Sequence, residues 1–522
     1  MKKGPSQLEE TNNGFLMRRF ERFLYSLESL GNKIPDPMLL FFYLMIIVIL
    51  SSYFLSLIGF SAVNPITKKS VQVYNLLSID GFIMMLTTAI KNFITLPALG
   101  SVLTCFLGVG VAEKAGLFVV GLRGMIASSK GSHITIMTIF FVACIMSHVA
   151  AGTGFVIMPA LAAIIWAGMG RNPIAGMLAA YATVSGAYAS NYIITVGDII
   201  NVSFTLSAAK FVMPDISLTP AITYYFSLVS AIILTVVSVF LTVKVLEPRL
   251  GTYTGSYGAD QEEHEITPRE KKALKYAMIA AFIIIALVCS GFIPENGVLR
   301  DPSTASALSA KAPLMQGLTL IIAILFFIPG VVFGLYSGRF KGAQSVAAAM
   351  GKAMSDMGTY TALMFLIAQF LKYFDVSNIG IIIAIKGAIL LQESNFPIWI
   401  VLVLFVLMCS VFNFLIGSAS AKWAILSTIF VPMFMFLGYH PSLPQMAYLI
   451  GDAVTNPLCP TDAYFAMLLV LAKKYDETIG IGTLIANMTP YAMTYLVIMT
   501  IQLLIWYFLG LPFGPGSPMM LP

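Results

Sequence analysis

The stretch NFLIGSASAKWAIL, Asn413 to Leu426, decides how this chain is read. From Ser394 to Gly451 the only Asp, Glu, Lys or Arg is Lys422. Two apolar arms, 397–416 and 421–437, flank the small residues GSAS. Small residues at such a turn let backbone come close to backbone or ligand. Irregular backbone at membrane depth must be buried in protein or line a water-filled cavity, because lipid satisfies no hydrogen bonds. A hairpin that turns back inside the bilayer meets this condition. Gly417, Ser418 and Ser420 would close the turn and offer oxygens to an ion or substrate.

The rest of the chain supports a membrane setting. Of 522 residues, 58% are hydrophobic and 10% charged, with mean hydropathy +0.88. A soluble protein of this size needs more charge to cover its surface. Runs such as PMLLFFYLMIIVILSSYFLSLIG (37–59) and MQGLTLIIAILFFIPGVVFGLY (315–336) are long enough to cross a bilayer, which takes about 20 residues. The reading is an all-α polytopic membrane protein; a barrel would show short alternating segments. Net charge is +6, but Lys and Arg lie mostly between spans, where positive charge marks the cytoplasmic side. That excludes a nucleic-acid partner as the explanation.

The five cysteines lack metal spacing. No HExxH, phosphate loop or catalytic triad spacing appears. GVGVAEKAG (108–116) is glycine-rich without the strand context of a nucleotide site. The expectation is a non-enzyme without a cofactor.

Arg18, Arg19, Arg22 and Lys33 place segment 1–36 in the cytoplasm, at a plasma (inner) membrane, with no cleaved signal. A first transmembrane half, 37–246, is followed by a charged cytoplasmic linker, 247–273, and a second half, 274–522.

A second hairpin is expected at about 132–169. No Asp, Glu, Lys or Arg occurs from Gly131 to Gly170, and SHVAAGTG (147–154) interrupts the run. Arms of about 16 residues reach about 25 Å, short of the ~30 Å hydrocarbon core. The two hairpins match: His148-x-x-x-Gly152-Thr153 lies 265 residues before Asn413-x-x-x-Gly417-Ser418. GAYASN (186–191) precedes GDAVTN (451–456) by the same 265. Lys130 and Arg171 bring the first hairpin in from the cytoplasm, whereas the second follows Asp375 and enters from outside. Inverted repeats with paired broken helices are the pattern of a secondary transporter with a midplane site.

Candidate substrate positions are Ser147, His148, Thr153, Asn191, Asn413, Gly417, Ser418, Ser420, Lys422, Trp423, Asp452 and Asn456. Ser147, Asn191, Ser418 and Asn456 are candidates for Na⁺. Intramembrane carboxylates are costly and mark function, so Asp198 and Asp452 are candidates for coupling to H⁺ or Na⁺, with Asp462 nearby. Lys422 could snorkel, pair with Asp452, or meet a substrate carboxylate. Trp423 could pack, or stack on an aromatic ligand.

RRFERFLYSLESLGNKIPDP (18–37), IGSASAKW (416–423), GDAVTN (451–456) and LGLPFGPG (509–516) together resemble the p-aminobenzoyl-glutamate transporter (AbgT) family of the ion-transporter superfamily. The resemblance implies a homodimer in the bilayer, with nine transmembrane helices and two re-entrant hairpins per protomer. It implies ion-coupled movement of p-aminobenzoyl-glutamate or of sulfonamide antimetabolites. The implied site positions are Asp198, Ser420, Trp423, Pro441, Asp452 and Pro460.

Four positions depart from the family pattern: His148, Gly152, Lys422, and Leu449 where an Arg is usual. The expectation is that Lys422 supplies part of the anion-binding charge. A carrier for dicarboxylates or other small organic anions is the nearest alternative, and a channel a more distant one. Transport direction stays open.

Overall fold

The structure is a computed structural model. It describes residues 37–65, 68–127, 132–150, 153–253, 266–309, 311–394, 396–459 and 463–521. Segment 1–36 and the middle of the linker, for which a cytoplasmic place is expected, lie outside the described residues.

The first half contains α1 (Pro37–Leu57), α2 (Ile79–Ile94), α3 (Pro97–Ala115), α4 (Leu117–Ala127), α5 (His133–Met146), α6 (Thr153–Gly168), α7 (Pro173–Gly186), α8 (Val196–Ala209) and α9 (Tyr224–Leu241). The second contains α10 (Pro268–Phe292), α11 (Leu318–Ser337), α12 (Ala343–Asp356), α13 (Gly358–Val376), α14 (Ile379–Glu393), α15 (Ile398–Leu415), α16 (Ala419–Phe436), α17 (Ser442–Thr455), α18 (Ala463–Lys473) and α19 (Ile481–Leu509). A small antiparallel ribbon, β1 (Ser61–Val63) with β2 (Ser70–Gln72), joins α1 to α2. No periodicity marks it in the chain, because three-residue strands are too short to carry one.

Among the described residues, eight helices are long and apolar enough to cross a membrane, or nine if the pair α13–α14, bent by 62°, is one span. Two of the eight are α15 and α16, the arms of the hairpin around GSAS. The arms of the other hairpin, α5 and α6, are shorter, and a 3-10 turn at Ser147–Ala150 separates them. The outer helices α1 and α10 bury only 17% of their apolar windows, so most of their surface faces lipid.

The 265-residue offset extends well beyond the two motifs. Ile398 at the start of α15 lies 265 residues after His133 at the start of α5, and the starts of α12 to α18 all fall within four residues of those of α2 to α8 shifted by 265. Packing repeats in the same way. Helix α3 lies on α11 and α12, while its counterpart α13 lies on α1 and α2. Helix α8 packs on α16, and α18 packs on α6. The second arm of each hairpin therefore rests on the other half's broken helix. At the centre, every residue of α7 and of α17 is buried.

Two features hold these layers close. An added Cβ at Gly108 of α3 would lie 1.9 Å from the Ala323 carbonyl oxygen of α11, and one at Gly330 would lie 2.7 Å from Ala112 Cα. GVGVAEKAG is thus a helix-crossing surface, since small residues let helix backbones approach in a membrane. The second feature is a line of buried hydroxyls on α9 and its π-helical extension (Thr242–Leu246). Ser230 donates to Gln502 at 2.8 Å, Ser238 meets Tyr495 at 2.6 Å, and Thr242 meets Tyr491 at 2.7 Å, all on α19. Thr183 of α7 joins Ser238 at 3.0 Å.

Candidate functional site

The second hairpin turns through Ile416–Ser418, and Ser418 caps α16 by accepting from the Ala421 amide at 3.3 Å. Gly417 is exposed, and Ser418 and Ser420 are half-buried. One turn into α16, Lys422 points inward and is 1% exposed. Its ammonium forms an ion pair with Asp452 of α17 and donates to Asn413 Oδ1. Asp452 is 0% exposed. Of the three sequence readings of Lys422, the structure realises the ion pair. The anion that Lys422 meets in this structure is Asp452.

Asn413 organises this cluster. Its Nδ2 donates to Asp452 O at 3.0 Å, Thr455 Oγ1 at 3.0 Å and Asn456 Oδ1 at 2.7 Å, which turns its Oδ1 toward the ammonium. Tyr448 lies one turn before Asp452 on the same helix face. Its hydroxyl donates to Ala419 O at 2.6 Å and lies 3.4 Å from Asp452 Oδ1. Asp452 Oδ2 is buried without a hydrogen-bond partner among the described residues. Gly451 lets α15 approach, since an added Cβ would lie 2.6 Å from Cys409 Cβ.

Trp423 turns the other way and joins the halves. Its Nε1 donates to Asn201 O at 3.1 Å and Thr205 Oγ1 at 2.9 Å, both on α8. Thr205 in turn donates to Gln445 Oε1 of α17 at 2.6 Å. One ring face of Trp423 stacks on Tyr448, centroids 4.6 Å apart and planes 19° off parallel, and the side chain is 0% exposed. Of the two sequence readings of Trp423, the packing one is what this structure displays: Tyr448 holds that face, and surrounding protein encloses the ring. On the other side of the molecule, Phe155 of α6 stacks on Tyr464 of α18 at 5.0 Å.

In the first half, Ser147 donates to Cys144 O at 2.6 Å, so its hydroxyl proton is committed to its own helix end. His148 packs edge-on against Tyr188 at 4.3 Å, and its Nδ1 is buried without a partner among the described residues. Asn191 Oδ1 is buried without a partner among the described residues, while the Asn191 backbone N–H donates to Ser227 O at 3.2 Å. Asp198 is 7% exposed and closes a capping box with Thr195, accepting from Thr195 N at 2.7 Å and Oγ1 at 2.8 Å. It is thus a helix cap rather than a solvated residue at a span end.

Pro441 is the buried residue before α17. Pro460, Asp462, Gly152 and the side chain of Thr153 lie outside the described residues. Tyr448, Thr455, Thr205 and Gln445 were not singled out from sequence. Tyr448 was findable, since residues four apart share a helix face. Thr205 and Gln445 meet only through the packing of the two halves.

The chain's relatives agree with this architecture. The profile of the AbgT transporter family matches residues 22–521. The p-aminobenzoyl-glutamate transport protein of Escherichia coli (strain K12) is 33% identical over 489 residues, covering 94% of this chain and 95% of that protein. The Alcanivorax borkumensis YdaH transporter has a similar structure, with TM-score 0.87, 34% identity and coverage of 92% of this chain and 100% of that one. So does Neisseria gonorrhoeae MtrF, described as illustrating a class of antimetabolite efflux pumps, with TM-score 0.88, 35% identity and coverage of 95% and 100%. With an overall fold and nearly the full length in common with these transporters, the chain belongs to the AbgT family of multi-pass membrane transporters and is not an enzyme.

Proposed function

We propose that this chain is an ion-gradient-coupled secondary carrier for p-aminobenzoyl-glutamate or a related aromatic anion. The observation that carries the reading is the wholly buried Lys422–Asp452 pair, set where the second hairpin meets a broken helix, with one Asp452 oxygen unpartnered. A buried, uncompensated carboxylate oxygen is costly unless a proton or ligand meets it. Asp452 is therefore read as the coupling group, with Asp198 as a second candidate. The substrate would bind between the hairpin tips, near Ser147, His148, Asn191, Ser418 and Ser420. The matching halves support an inverted arrangement in the inner membrane with a cytoplasmic N-terminus, and the functional unit is taken as a homodimer. The likeness to MtrF supports a second reading, outward transport of sulfonamide-like antimetabolites through the same site.

The test is uptake into proteoliposomes of purified protein, with H⁺ and Na⁺ gradients imposed separately. Saturable, gradient-dependent movement of labelled p-aminobenzoyl-glutamate, competed by sulfonamides and not by simple dicarboxylates, is the expected result. Competition by dicarboxylates alone would overturn the substrate assignment. Unsaturable flux would make the protein a channel.

A further inference from the structure

Two side-chain oxygens, Asp452 Oδ1 and Asn413 Oδ1, converge beside α17, and the second oxygen of the same carboxylate, Asp452 Oδ2, is buried without a partner among the described residues. Their arrangement does not depend on Lys422. Asn413 is oriented by three acceptors on its Nδ2, so its carbonyl oxygen faces the carboxylate whatever stands between them. The Tyr448 hydroxyl spends its proton on Ala419 O, so it is a poor donor to the carboxylate. Such a set of oxygens, one of them anionic, is what a small hard cation binds. In this chain the Lys422 ammonium already sits on two of them, Asp452 Oδ1 and Asn413 Oδ1. The titratable groups facing Asp452 are Lys422 from α16, Tyr448 on its own helix and Cys409 from α15.

We propose that Lys422 is a resident cation that fills the cation place at Asp452 and so excludes Na⁺ from it, making Lys422 the residue that sets ion specificity at this carboxylate. The proposal rests on reading Asp452 as the coupling group. Its physical basis is the pair's burial. A tethered ammonium competes with free Na⁺ at high effective concentration. Na⁺ could bind only beside an ammonium with no second anion to receive it, or after Lys422 left a site in which it is 1% exposed. The neutral pair also leaves no net charge for an external cation to balance.

The test uses purified full-length protein without substrate, so it can fail independently of the transport assignment. Thermal midpoints are measured while NaCl replaces choline chloride at fixed ionic strength. Lys422→Gln/Asp452→Asn, which carries an uncharged pair, is the reference for Na⁺ effects arising elsewhere. Wild type should shift no more than this reference. Lys422→Gln alone should gain a saturable Na⁺-dependent rise of a few degrees, because a bound cation stabilises the state that holds it. If Lys422→Gln can be recovered only from Na⁺-containing buffer, that also supports the proposal. A larger Na⁺ shift, or more bound ²²Na⁺, in wild type than in the reference would overturn it. So would a Lys422→Gln protein, stable in both salts, whose shift equals the reference's. In proteoliposomes, Lys422→Gln should gain a Na⁺ dependence beyond any that wild-type transport shows.

Discussion

Trp423 offers the sharpest test of the site, because its two readings predict different outcomes for one pair of substitutions. In Trp423→Phe the aromatic face remains and the Nε1 donor is lost. In Trp423→Ala everything beyond Cβ is lost. The ring is wholly buried, stacks on Tyr448, and donates to Asn201 O and Thr205 Oγ1. Truncating a buried Trp to Ala costs about 3–5 kcal/mol, and the stacked pair adds roughly 1 kcal/mol. Losing the N–H donor costs about 1 kcal/mol, and both acceptors keep other partners through Thr205. Trp423→Ala should therefore lose about 5–7 kcal/mol and Trp423→Phe about 2 kcal/mol, the latter from one hydrogen bond and the smaller ring.

Four of the five free cysteines, Cys105, Cys144, Cys409 and Cys459, are buried. A thiol-reactive fluorogenic dye in a temperature ramp will thus report unfolding, with Trp423→Ala melting first and Trp423→Phe between it and wild type. A Trp423→Phe protein that melts like wild type but binds substrate weakly would refute the packing role. It would restore Trp423 as a ligand surface.

Removing one partner of the buried ion pair should cost about 3–5 kcal/mol, because an uncompensated charge stays behind. Thermal melts of Lys422→Gln in choline buffer should show that loss, and Lys422→Gln/Asp452→Asn should recover most of it. Within α3, Gly108→Ala should destabilise by about 1–3 kcal/mol through overpacking, since its new Cβ meets the Ala323 carbonyl at 1.9 Å. Gly100→Ala in the same helix meets nothing within 4 Å and should be neutral or up to about 1 kcal/mol stabilising in the same melt.

In the 294–313 loop, hydrogen bonds from the Ser309 hydroxyl, and then from the Ser303 hydroxyl and amide, hold Asp301 well below the usual carboxylate range. A depressed folded-state value contributes stability that is complete above the unfolded value near 4 and fades only as pH falls toward the lower folded one. Hydrogen exchange of the Ser303–Ser309 amides, corrected for intrinsic pH dependence, should stay protected at neutral pH and weaken only in strong acid. In Asp301→Asn that acid dependence should be absent.

Much of this fold is legible in the sequence, because membrane spans announce themselves by length and apolarity. The 265-residue offset between His148 and Asn413 locates the hairpins and implies the pairing of halves that α3 on α11 and α13 on α1 displays. Composition could not tell what Lys422 and Trp423 touch. Both stand on one apolar helix, and which points at Asp452 and which at Thr205 depends on how α8 and α17 flank it. Polar residues such as Thr205 and Gln445 gain meaning only once 240 residues of chain fold back and put them 2.6 Å apart. The glycines of GVGVAEKAG lack the context of a nucleotide site in the sequence, and only the packing of α3 on α11 shows that they serve a helix crossing.

The hydroxyl line between α9 and α19 also bears on how the molecule can move. These two helices are counterparts under the repeat, so the line ties each half to the other at equivalent places. Sliding one past the other by a single turn, about 5.4 Å, would break the three direct rungs at once, in a setting without water to replace them. The seam therefore behaves as an axle: it permits the halves to pivot and forbids them to shear.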